Sequence, residues 1–127
     1  MIRRKTITIP AAVGENGEAT ATVTDNPVIG GVVWAVHIAY KGSPPGATTD
    51  IALTGADTPA IPVLAVADNA TDGWYFPMRQ ADDAADGTDI AGQGTLCVLD
   101  DRLQATISGC NADDYAVLTV VFEQLIP

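Results

Sequence analysis

Few side chains in this 127-residue chain are of types that do chemistry, and their spacing joins none of them into a catalytic set. The one histidine, His37, stands in the middle of an alternating apolar stretch. A histidine in a period-two apolar run reads as a packed, hydrogen-bonded side chain rather than a base. Ser43 and Ser108 are the only serines, and neither lies in the Gly-x-Ser-x-Gly turn that presents a nucleophile. Nothing in the spacing favours Cys97 or Cys110 as a partner for His37. Sixteen carboxylates supply pairs by chance, so acid pairs suited to glycoside hydrolysis carry no weight. The chain therefore reads as no enzyme, with no cofactor.

Metal and anion sites fare little better. Asp82, Asp83, Asp86, Gly87 and Asp89 superficially resemble a calcium loop. An EF-hand loop starting at Asp82 would need an oxygen ligand where Ala84 stands and a glutamate where Gln93 stands, so the match fails and only a looser calcium site is left open. The acids read first as a solvated loop. No glycine-rich phosphate loop is present. Asn69-Ala70-Thr71 matches a glycosylation acceptor but reads as a turn.

Charge narrows the partners. The net charge is −10, and three of the six cations are Arg3, Arg4 and Lys5, which leaves three cations against sixteen acids, or −13, elsewhere. Such a body repels nucleic acid and anionic membrane. The basic residues read either as a docking arm or as charges guarding an edge strand. Met-Ile-Arg-Arg-Lys lacks an apolar leader segment, and no stretch reaches the roughly 18 apolar residues of a membrane span. This points to synthesis in a cytoplasm, where Cys97 and Cys110 are expected as thiols, although spacing alone leaves their pairing open.

The elements that position these residues are strands. Apolar residues make up 47% of the chain and charged ones 17%, and Asp, Gly, Pro, Thr and Val dominate, the vocabulary of strands and tight turns. Arg4–Ile9 alternates, with Ile7 and Ile9 inward. Gly14–Glu18 is a turn, and Ala19–Thr24 a strand ended by Asp25-Asn26-Pro27. In the run from Gly30 to Lys41, Val32, Trp34, Val36, Ile38 and Tyr40 share one face, and Val33, Ala35, His37 and Ala39 the other. Gly42-Ser43-Pro44-Pro45-Gly46 follows as a rigid turn. Thr49–Thr54 and Ile61–Ala67 are strands, Gln80–Gly94 a long polar loop, and Leu96–Leu99 with Leu103–Ser108 a hairpin about Asp100-Asp101. Tyr115–Gln124, apolar on both faces, belongs in the middle of a sheet. Trp74, Tyr75 and Phe76 admit two readings. Either Trp74 and Phe76 fill the core with Tyr75 at its rim, or the three anchor a protein partner or a sugar.

The pattern predicts an all-β fold: one antiparallel β-sandwich domain over residues 1–127, of eight or nine short strands, with a basic arm at residues 1–5. A jelly-roll order is among those allowed.

The segments Ala35–Thr54, Asp68–Pro77 and Asn111–Glu123 resemble small structural proteins of tailed-bacteriophage virions, some of them head decoration (cement) proteins. The likeness covers most of the chain from about Ala19 and carries no site motif. It implies a compact β protein, often trimeric, on the outer surface of a capsid, where it stabilises the shell by binding between major capsid protein subunits. Alternatives are a tail, baseplate or neck component, or a carbohydrate-binding module using Trp74 and Tyr75. The residues expected to meet the shell are Arg3, Arg4 and Lys5 and the Ser43–Thr49 loop, with Pro44 and Pro45 giving that loop its rigidity.

Overall fold

The computed structural model describes residues 1–82 and 85–125. Among these residues eight strands appear in chain order: β1 (Ile2–Thr8), β2 (Ala19–Lys41), β3 (Asp50–Gly55), β4 (Pro62–Val66), β5 (Gly73–Tyr75), β6 (Met78–Asp82), β7 (Asp89–Cys110) and β8 (Tyr115–Gln124). All pairings are antiparallel, in the order β1-β8-β2-β7-β3-β4, with β5 on β2 and β6 on β7.

The strands are not uniformly short. β2 runs for 23 residues and β7 for 22, and each serves two halves of the structure. Residues 19–33 of β2 pair with β7, while residues 31–41 pair with β8. At Gly31 both partners are present, opposite Leu99 and Gln124, and a Cβ there would lie 1.8 Å from the Glu123 carbonyl oxygen. Only a glycine lets three backbones meet so closely. Inward residues of both halves, including Ile7, Val36, Ile38, Leu53, Leu103 and Leu118, form a single cluster, giving a sandwich-like core.

Several expected boundaries are corrected. Asp25-Asn26-Pro27 does not end a strand; the register slips between Thr24 and Val28, and this irregularity accommodates a proline that cannot donate to the ladder. Asp100-Asp101 is no hairpin turn, since both stay in β7 opposite Gly30 and Ile29. The buried Asp101 carboxylate is satisfied by the N–H groups of Asp57 (2.7 Å) and Arg102 (2.6 Å). The first of these bonds chiefly holds its pKa below the usual carboxylate range. Gln80–Gly94 is largely a hairpin rather than a loop, with Met78 opposite Leu96 and Gln80 opposite Gly94. Asp83 and Ala84, in the expected calcium loop, lie outside the described residues. Residues 1–5 are no arm, because Ile2–Thr8 pairs along β8 from Glu123 to Val117.

The face assignment of the Gly30–Lys41 run also changes. Val36, Ile38 and Tyr40 are buried, but Trp34 is 41% exposed and Val33 is fully buried. The pairing skips from Val33↔Phe122 to Ala35↔Val121, so Trp34 is a bulge residue and alternation changes phase there. Other expectations stand. Ile7, Ile9, Ile51 and Leu53 point inward, and β8 is flanked on both sides, by β1 and β2.

Candidate functional site

Opposite partners in an antiparallel ladder share a face, as do alternate residues along a strand. Met78 is opposite Leu96, Val98 is two residues on, and Val98 is opposite Val32. Trp34, the bulge residue, stands next along β2 from the Val33–Cys97 pair. Trp74 is opposite His37, and Phe76 follows it by two. Trp34, Trp74, Phe76, Met78, Leu96 and Val98 therefore border one outer surface, with Phe76 71%, Met78 61% and Val98 57% exposed. Large apolar side chains gathered in water are uncommon on monomeric proteins, which makes this surface the candidate site.

Tyr75 points the other way, as an intervening strand residue must, and packs against the core while Asn69 donates its side-chain N–H to the Tyr75 hydroxyl (3.0 Å). This reverses the core-filling reading of the aromatic triplet: Tyr75 is the inward residue, and Trp74 and Phe76 face solvent. It also ties the Asn69 amide into a turn, where Asn69 Oδ1 accepts from the Thr71 N–H. His37 packs its ring edge-on to Trp74, with centroids 5.0 Å apart. Arg4 reaches across from β1, its guanidinium 5.8 Å from the Trp74 ring centre.

The residues expected to meet a partner do not form one surface. Arg3 is opposite Phe122 near one end of β8, whereas Lys41, just before the Gly42–Thr49 turn, is opposite Tyr115 at the other. Seven residues of strand, about 24 Å, separate them. Lys5 turns toward the interior and forms an ion pair with Asp25 of β2. Arg3, Arg4 and Lys5 rim a groove of about 390 Å³ whose floor includes Val28, Ile29 and Phe122. Ser43 and Pro44 line a second, wider depression of about 840 Å³ with Lys41, Asn111, Asp113 and Tyr115. The Ser43–Pro44 peptide is cis, and Pro45 is half-buried beside it. The turn is held by Asp114, a buried carboxylate that accepts the N–H groups of Gly46 and Asn111, both at 3.1 Å.

Cys97 and Cys110 are both buried thiols of β7, thirteen residues apart on a strand paired along its length, so they cannot reach each other. Burial and the nearby Asp114 charge push the Cys110 thiol up. Among the described residues no group of three or more His, Cys, Asp or Glu side chains converges as a metal site. Comparison with known protein families, curated proteins and solved structures finds no match for the chain.

Sequence reasoning missed Trp34, Met78, Leu96 and Val98. Leu96–Leu99 is apolar at every position, so period two gives no sign that Leu96 and Val98 face out while Cys97 and Leu99 face in. The signal available was Met-after-Pro at Met78, which opens a strand next to the aromatic triplet.

Proposed function

We propose that this protein is a non-enzymatic structural component of a tailed-phage virion, a head decoration protein that binds across major capsid protein subunits through its outer apolar surface. The observation that carries the reading is the set of exposed apolar side chains Trp34, Trp74, Phe76, Met78, Leu96 and Val98 on and beside paired strands. Aromatic and methionine side chains are the residues enriched at interface centres, where a few of them carry most of the affinity. A protein that binds only the assembled shell stabilises it by mass action, with no chemistry required. The acidic remainder suits a face turned to water, since it repels the nucleic acid that the shell encloses.

The test is co-sedimentation with expanded, undecorated heads. The double variant Phe76→Asp, Met78→Asp loses binding by about tenfold or more, as expected for central apolar contacts. Val13→Asp, an exposed apolar position elsewhere, leaves it unchanged. Equal binding by all three proteins would overturn the assignment of the face. A tail or baseplate role would use the same surface on a different partner, and heads would then pull down nothing. A glycan platform of Trp74 with Tyr75 is disfavoured because Tyr75 is turned inward and Arg4 already lies over Trp74.

A further inference from the structure

We propose that the Asn16–Gly17 bond is a site of spontaneous deamidation, at which Asn16 becomes aspartate or isoaspartate through a cyclic imide at a rate set by the opening of its turn. Asparagine followed by glycine suits this chemistry best, because the second residue has no side chain to shield the attacking backbone nitrogen. Of the chain's four asparagines only Asn16 precedes glycine. Asn26 precedes proline, which has no N–H to give up, and Asn69 and Asn111 precede alanine. Asn16 and Gly17 are both exposed, and a Cβ placed on Gly17 would meet nothing within 4 Å, so water reaches the bond.

The reaction balances with water alone. The Gly17 nitrogen gives its proton to solvent and bonds to Asn16 Cγ, and the Cγ–Nδ2 bond breaks to release ammonia. Water then opens the five-membered ring. Cleavage between Gly17 N and Cγ leaves aspartate, and cleavage between Gly17 N and the Asn16 main-chain carbonyl carbon leaves isoaspartate. The fold holds both reacting groups elsewhere. The Gly17 N–H donates to the Cys110 carbonyl oxygen (3.0 Å), and Asn16 Oδ1 accepts the Ala112 N–H (3.1 Å). The Glu18 N–H donates to the Glu15 carbonyl oxygen (2.9 Å) and closes the turn, with Gly17 at φ +85°, a conformation that favours glycine. Ring closure needs Gly17 N freed from Cys110 and turned toward Asn16 Cγ, so it waits on local opening of the turn. The product places a new carboxylate on the rim of the depression that Ser43 and Pro44 also line. Its isoaspartate form lengthens the turn by one backbone carbon. The proposal stands apart from the capsid reading and does not rest on it.

Incubation of the full-length protein in warm, mildly alkaline buffer tests it, with a guanidinium-unfolded sample alongside. The folded protein gains a more acidic form, separable by ion exchange, and peptide mass spectrometry places the change at Asn16 with isoaspartate exceeding aspartate. The unfolded chain converts about tenfold faster or more, the factor expected for releasing two hydrogen bonds. Asn16→Gln, whose imide ring would need six members, stays unconverted in both states over the same time. A folded protein unchanged at Asn16 after the unfolded chain has fully converted would overturn the site. Equal rates in the two states would overturn control by the turn, and conversion at Asn69 or Asn111 in place of Asn16 would overturn the assignment. The rates come from wild type, so they decide the question even if the variant misfolds.

Discussion

At the scale of single residues, buried acids do structural work. Asp114 is the clearest case, since one carboxylate oxygen holds two backbone N–H groups from different loops. Asp114→Ala leaves both donors unsatisfied and is expected to cost about 2 kcal/mol, read as a lower denaturant midpoint, while Asp114→Asn recovers part of the loss. Tyr40 gives a pH signature. Burial, followed by the neighbouring Tyr75, raises its pKa from 10.0 to about 12. The unfolded phenol ionises before the folded one. The stabilising difference is therefore complete below pH 10 and is lost as pH rises from 10 through about 12. Tyr40→Phe removes that dependence, so its stability curve should fall less steeply than that of wild type over this alkaline window. A parallel fall in the two curves would contradict the assignment.

Among the elements, β1 decides between two readings. Its basic residues read either as an arm or as charges guarding an edge strand, and the segment is the edge strand of the sheet, tied by seven register pairs to β8 and by the Lys5–Asp25 ion pair to β2. Deleting residues 1–5 is therefore expected to destabilise the whole protein and expose the β8 edge to aggregation, in contrast to the silent loss of a free arm. A thermal melt with light scattering checks this. The sequence pattern made the strands themselves legible wherever one face is buried: β8 was located to the residue, and Ile51 and Leu53 were correctly turned inward. It failed where continuity depends on a partner. Pro27 and Asp101 carry turn chemistry locally but sit within long strands, because a register slip absorbs the first and two N–H donors satisfy the second. The bulge at Trp34 was invisible for the same reason, since a bulge is a property of two strands. The candidate face was only half legible: the aromatic triplet drew notice, but its parity was inverted, and its neighbours on β7 arrive from far along the chain.

For the molecule as a whole, two long strands tie the halves of a sandwich-like sheet together around a single core. One outer surface is apolar, one end holds a basic groove, and the body is acidic. That division suits a protein that works by covering another, in which interface burial supplies the free energy. The most direct test is the stoichiometry with which wild-type protein pellets with expanded, undecorated phage heads. Saturation at a fixed number of copies per capsid subunit is the predicted result; no pelleting, or uptake that never saturates, would contradict a capsid-binding role.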